Sequence, residues 1–313
     1  MCAHTFTARS GTAYHRLRRS PTEYDRAVQM SVEGSSKSAI SRVSGISTST
    51  VARWLERAAT FARKWSDRTT RSVPAHEIQA DEIRGYARER DARQYVFASI
   101  EVSARLWLSH SVGGRSRRNT RLLIQDSRAR VAHGQRRVLI TTDPFDYYRG
   151  EVQRAWGPTC LHVESSKIIK GGKIRRVRNT IVNGVQWQLD EIMSRSEDSR
   201  KPNTAYIERL NLFIRRSLPA LHRRTNNAAK KREKLAEAIE ILKCYYNFIR
   251  PHGSLKFGRE YRTPAQQAGI VTKRLTFRDI FMAFRPMARV PWLKDPRARA
   301  EWRAACRPAT VNG

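Results

Sequence analysis

Apolar residues recur at helical spacing near the amino terminus. Ala39, Ile40 and Val43 form one group and Val51, Trp54 and Leu55 the next, with Gly45 between them. Ser47-Thr48-Ser49-Thr50 precedes the second group, and a Ser or Thr there can accept a hydrogen bond from an otherwise unpaired N–H of the first helical turn. Residues Ser36 to about Ala59 therefore predict two short helices around a turn. The same pattern fits a helix-turn-helix or an ordinary helical hairpin that packs on a neighbour.

After Pro74 the period changes from helical to alternating, predicting strands over His76–Asp81, Gln94–Ile100 and Leu106–Val112. Three short strands in succession suggest an antiparallel meander. Leu122, Leu123 and Ile124 sit in helical surroundings between Asn119 and about Val131, and an apolar strand over Arg137–Thr142 ends at Asp143. A crossover helix followed by a parallel strand is the expected connection. Lys170-Gly171-Gly172-Lys173 predicts a hairpin turn between basic strands, from Lys167 to Arg178. Two helices follow Tyr206, the second from about Asn227 to Phe248 with Leu235, Ile239, Leu242 and Tyr246 on its apolar side, and Pro251 stops it.

Charge narrows the partners. The 313 residues hold 61 Lys and Arg against 28 Asp and Glu, a formal net charge of +33. Such a chain repels itself unless a polyanion neutralises it, and nucleic acid is the first candidate. A membrane is the competing anion, but no run of about 18 apolar residues and no signal peptide is apparent, so a soluble cytoplasmic, nucleoid-associated protein without a membrane partner is expected. Hydrophobic residues at 40% suffice for a packed core. Cys2, Cys160, Cys244 and Cys306 lie too far apart for a disulfide framework or a complete zinc knuckle. With DNA as partner, the helix-turn-helix reading makes Ser47, Thr48, Thr50 and Arg53 candidate DNA contacts. Lys170, Lys173, Arg175 and Arg176 on the hairpin can line a DNA path or form a solvated ribbon.

Asp81 and Asp143 close two strands of one expected sheet, so their carboxylates can project from the same edge. Glu208, in Asn203-Thr204-Ala205-Tyr206-Ile207-Glu208-Arg209, begins a helix able to bring a third acid to them. Three clustered carboxylates repel unless a cation sits among them, and hard oxygen donors suit magnesium. Two such ions serve phosphoryl transfer, and manganese is a substitute. Each acid also has a structural reading, since strands often end in Asp and helices often begin with Glu. Asp146, and Glu82 beside Asp81, are rivals whose side chains should point elsewhere.

Four stretches carry a family resemblance. Ala80-Asp81-Glu82-Ile83-Arg84-Gly85-Tyr86 and Ile140-Thr141-Thr142-Asp143-Pro144-Phe145-Asp146-Tyr147-Tyr148 resemble the two aspartate strands of the DDE transposases of bacterial insertion sequences, of the type first known from insertion sequence 1. Asn203 to Arg216 is similar to that family's third-acid helix. Tyr246-Asn247-Phe248-Ile249-Arg250-Pro251-His252-Gly253-Ser254-Leu255, with Arg262-Thr263-Pro264-Ala265, resembles the segment that closes many DDE catalytic domains. The resemblance implies a ribonuclease H-like domain that cleaves element ends and joins their 3′ hydroxyls to target DNA with magnesium. Asp81, Asp143 and Glu208 would be the metal ligands, and dimers or larger homo-oligomers would form on DNA. Arg215, seven residues after Glu208, would share its helix face and reach a phosphate, with Asn211 on the same side.

About 64 residues separate Asp143 from Glu208, which makes the basic hairpin an expected insertion and leaves Glu164, Glu191 and Glu197 as rival third acids. Met1-Cys2-Ala3-His4-Thr5-Phe6 resembles the end of a four-cysteine zinc finger whose other cysteines are missing. No bound zinc is expected there, and Cys160 with His162 is the weak alternative site. The fold class expected is α/β: a ribonuclease H-like catalytic domain, a mixed sheet with flanking helices, preceded by a small all-α helix-turn-helix module. Its segments are a finger remnant over 1–24, the helix-turn-helix over 25–70, the catalytic domain over 75–255 with the hairpin insertion at about 165–200, and a basic extension over 256–313. In that extension Trp292 and Trp302 either stack on bases or anchor the tail. The alternatives are a helix-turn-helix DNA-binding regulator, an inactive transposase remnant, and a ribonuclease H-like nuclease without strand transfer.

Overall fold

Alternating and fully apolar segments in the middle of the chain build one sheet. A computed structural model describes residues 7–85, 94–171, 173–222 and 231–284, apart from positions 133, 135, 136, 197 and 199. The expected finger remnant at Met1–Phe6, Tyr86, Glu197, Cys306 and the two tail tryptophans lie outside the described residues.

β1 (Glu77–Gly85), β2 (Gln94–Glu101) and β3 (Leu106–Gly113) form the expected meander, β1 pairing antiparallel with β2 and β2 with β3. β4 (Val138–Thr142) and β5 (Cys160–Lys170) add in parallel, and β6 (Lys173–Asn183) returns antiparallel to β5. The order across the sheet is β3-β2-β1-β4-β5-β6. β4 is buried along its whole length, as a central parallel strand covered on both faces must be. This mixed six-stranded sheet flanked by helices is consistent with a ribonuclease H-like fold.

α4 (Arg117–Arg130) crosses from β3 to β4, and α5 (Asp146–Trp156) from β4 to β5, where no helix was expected. Ser99 of β2, paired with Ala80, meets Ser127 of α4 at 2.7 Å, so α4 covers the Ala80 face. α6 (Gln186–Ser194), likewise unexpected, buries Leu189 against Leu139, Leu161 and Val163. α7 (Ala205–Ser217) lies across the sheet from α4, on the face of Gln79 and Asp81. α8 (Arg232–Cys244) packs between the amino-terminal helices and β3. It runs on into a wider turn over Tyr245–Ile249, where Asn247 both accepts from the Trp107 N–H at 3.0 Å and donates to its carbonyl at 2.9 Å. That side chain stands in for a missing strand at the β3 edge.

Upstream lie α1 (Pro21–Val32), α2 (Lys37–Ser44) and α3 (Thr48–Thr69). Gly45 closes α2 in the left-handed conformation, a role glycine fills without a Cβ clash, and Ser47 caps α3. Two expectations change here. Val43, assigned to the apolar side of α2, is 74% exposed. α3 runs ten residues past Ala59, because Ala62 and Ser66 are also buried and its end is tied into the α/β body. Arg130 of α4 holds Asp67 at 2.7 Å, and Arg63 holds Glu240 of α8 at 3.0 Å. Two short helices after the wide turn, α9 (Pro264–Gln267) and α10 (Phe277–Met282), complete the described chain, with Phe281 of α10 packed on Tyr14 and Tyr24.

The hairpin differs from a separate insertion. The first half of β5 is a buried strand of the sheet, and only its second half and the facing part of β6 project as a ribbon. Among the described residues no helix is long and apolar enough to cross a membrane.

Candidate active site

Asp81 lies within β1, since the strand continues to Gly85, and Asp143 follows the last residue of β4. The parallel register pairs Gln79 with Thr141 and Ala80 with Thr142, so Asp81 and Asp143 come next on adjacent strands about 4.8 Å apart. β4 stops where the acids begin. Beyond Ala80 the edge of β1 is open on that side, and a side chain rooted on either face can reach round it.

Glu82 does so. Alternation puts its Cβ on the face opposite Asp81, the reason it was expected to point away. Nevertheless carboxylate oxygens of Asp81, Glu82 and Asp143 all lie within 4.8 Å of one another. From its own face Glu82 is held by Arg115 at 2.6 Å and approached by the Tyr148 hydroxyl at 3.5 Å, and its side chain is only 5% exposed. Arg115 in turn lies over the Phe145 ring, 4.0 Å from its centroid. No sequence period marks Glu82; its length and its place at the end of β4 are the only signals.

The cluster strains against its own charge. Burial, and then the neighbouring Glu82 carboxylate, raise Asp81 to about 6 despite hydrogen bonds from the Glu82 N–H and Asn211. Burial and the charges of Glu82 and Asp81 raise Asp143 to about 7 against the opposing pull of Arg115. One oxygen of Asp143, Oδ1, is buried without a hydrogen-bond partner. An acceptor left so among like charges fits a cation ligand. Hard carboxylate donors suit a divalent metal of the magnesium type, so the three residues could hold one.

α7 is registered on this site by Gln79, which is fully buried two residues before Asp81 on the same face. Its Oε1 accepts from the Tyr206 and Ile207 N–H groups at 3.0 and 3.1 Å, taking two of the otherwise unpaired donors of the first turn. One turn on, Asn211 donates to Asp81 Oδ2 at 2.9 Å. Asn211, expected at DNA, is thus buried against the acid pair. Glu208 sits three residues before Asn211 but belongs to no group of mutually close carboxylates among the described residues. It is half exposed, accepts from the Thr204 hydroxyl at 2.6 Å and is paired with Lys167 of β5. Its charge still adds to the upward pressure on Asp81.

Neither a protein-family model nor a curated protein matches the chain. Among solved structures, a piggyBac transposase synaptic complex with hairpin DNA is similar at a TM-score of 0.36 and 10% sequence identity, covering 100% of this chain and 80% of that one. A likeness that low decides neither fold nor activity.

The remaining candidates are dispersed. Glu164 is engaged by both nitrogens of an Arg149 fork at 2.7 and 2.6 Å, Glu191 pairs with Arg195 at 2.9 Å, and Asp146 is exposed at the start of α5. Arg215 is half-buried on α7. Ser47, Thr50 and Arg53 form a chain at the exposed start of α3, with Ser47 Oγ to Thr50 at 2.9 Å and Arg53 to Thr50 at 3.4 Å; Thr48 is exposed beside them. Lys170, Arg175 and Arg176 are exposed on the ribbon, and Lys173 occupies the first position of β6. Cys160 and His162 have other partners. The thiol receives Asn183 Nδ2 at 3.6 Å, and the imidazole meets the Thr142 hydroxyl at 3.0 Å.

Proposed function

We propose that the chain is a magnesium-dependent DDE transposase that cleaves insertion-sequence ends and joins them to target DNA. The observation that carries this reading is the meeting of the Asp81, Glu82 and Asp143 carboxylates where β4 ends, with a partnerless buried oxygen on Asp143. Four segments of family-like sequence around those residues and a net charge of +33 support it.

In this reading Asp81 and Asp143 are the principal ligands, and Glu208 completes the site from α7 once it is free of Lys167. A divalent cation held there lowers the cost of developing charge on the attacking and leaving oxygens of a phosphodiester. Glu82, braced by Arg115, adds negative charge and sets how tightly the cation is held. Asn211 fixes the Asp81 carboxylate in orientation, and Gln79 fixes α7 and therefore Asn211. Arg215 and the Lys170–Arg176 ribbon position the DNA backbone, and the Ser47–Arg53 end of α3 touches DNA as the second helix of a helix-turn-helix. The enzyme acts as a homo-oligomer, because two element ends must be joined in one reaction.

Joining of a labelled 3′-hydroxyl oligonucleotide carrying an element end to a target plasmid tests the reading, alongside an RNA–DNA hybrid and a branched duplex. Strand joining is the expected outcome. Hydrolysis of the hybrid or branch without joining would make the protein a nuclease of the same architecture.

A further inference from the structure

The segment Tyr246–Leu255 has no part in the acid site, yet it builds one wall of a cleft of about 540 Å³ whose other wall is α7. That volume is within the range of small-ligand sites. Arg209 and Arg216 reach it from α7, and Arg250 from the opposite wall. None of these three guanidinium groups is paired with a carboxylate among the described residues. Arg250 lies over the Phe213 ring, 4.7 Å from its centroid, which holds the guanidinium plane at the cleft. Ser254 Oγ lies 2.9 Å from His252 Nδ1, and the imidazole stands edge-on to Tyr246.

The one acid lining the cleft, Glu33, already accepts from the Tyr245 hydroxyl and from Gln29, the latter at 2.9 Å. Three cations against one occupied carboxylate leave the cleft positive. His252 registers this field, since burial and the Arg105, Arg250 and Arg209 charges lower it to about 4 and keep it neutral near pH 7. Arg209 directly follows Glu208 on α7, and Leu212 of the cleft follows Asn211. Each step rotates about 100° around the helix. The cleft and the acid site are therefore adjacent flanks of one helix.

We infer that the cleft of Arg209, Arg216 and Arg250 is a phosphate-binding site for the DNA strand that leaves the acid site. The inference rests on the proposed transposase reading. The strand's backbone crosses α7, with a phosphodiester held by the guanidinium groups. Its neighbouring nucleotide lies against Arg250, Phe213 and His252. Arginine forks suit phosphate oxygens because they offer planar pairs of donors.

Phenylglyoxal modification of the full-length protein, read by mass spectrometry, tests this with and without a saturating oligonucleotide duplex in metal-free buffer. Arg209, Arg216 and Arg250 are expected to be protected by the duplex, while Arg195, which does not line the cleft and pairs with Glu191, reacts as before. A triple Arg→Gln variant at the three positions is expected to flatten the dependence of log affinity on log salt by about one to three, at roughly 0.9 for each phosphate that is no longer neutralised. Unchanged reactivity of the three arginines with DNA bound, or an unchanged salt slope in a folded variant, overturns the inference. Protection by a nucleoside monophosphate but not by the duplex would also overturn it, because the cleft would then serve a free nucleotide. Protection without any strand joining by the wild type would retire the transposase reading and leave the DNA site standing. Joining with unprotected arginines would do the reverse.

Discussion

Replacing Asp143 by Asn removes one charge from the crowded end of β4 while keeping the side chain's shape. Asp143 titrates at about 7 in the folded chain against an ordinary 3.8, so the folded state holds this proton more tightly than the unfolded state. The resulting stability is fully present below about pH 4 and is lost as pH rises through about 7. A displacement of about three pH units at about 1.4 kcal/mol each sets a ceiling of about 4 kcal/mol. Solvent screening of a half-buried carboxylate reduces this to about 2 kcal/mol. Asn imitates the protonated acid, so Asp143→Asn should be the more stable protein at pH 8 in chelator, with Tm higher by about 4–8 °C. The difference should vanish near pH 4, where the wild type is itself protonated. Magnesium should raise the wild-type Tm at pH 8 and leave the variant nearly unmoved. Differential scanning fluorimetry across pH, with and without magnesium, measures all three. A variant no more stable than wild type at pH 8, or a gap that ignores pH, would refute the electrostatic account of the cluster.

Gln79→Leu leaves two buried N–H groups of α7 without an acceptor, and chemical denaturation should show a loss of about 2–4 kcal/mol together with weaker magnesium binding. Asn247→Leu opens both backbone bonds at Trp107 and should cost a similar amount, about 2–4 kcal/mol, while magnesium affinity in the folded fraction stays at the wild-type value. Changing Lys170, Arg175 and Arg176 together to Gln should leave Tm unchanged and reduce the salt slope of duplex binding by up to about three.

The sheet was legible in the sequence because its strands are short, β-branched and bounded by turns. The meander from Glu77 to Gly113 follows from alternation, and the strand before Asp143 from its short apolar run. Asp81 and Asp143 were reachable by the same logic, since the parallel register places them next to one another. Glu82 was not, because period-two reasoning locates a Cβ and not the end of a three-carbon side chain at an open strand edge. The length of α3 was hidden for a related reason. Its later residues are held by Asp67–Arg130 and Arg63–Glu240, pairs that reach elements distant in sequence. The sequence shows β5 only as a hairpin arm because its basic outer half, Lys167 to Lys170, masks the buried strand Cys160–Ser165 that precedes it. Glu208 had a helix-start signature, but its pairing with Lys167 depends on how β5 lies against α7.

The most direct test of the central claim is magnesium-dependent nicking of a supercoiled plasmid bearing element ends, with wild type beside Asp81→Ala, Asp143→Ala and Glu208→Ala. The account predicts nicking by the wild type alone, with DNA binding retained by all four proteins. Nicking that survives Asp81→Ala or Asp143→Ala would contradict it, because the carboxylates at the end of β4 would then not be the seat of the chemistry.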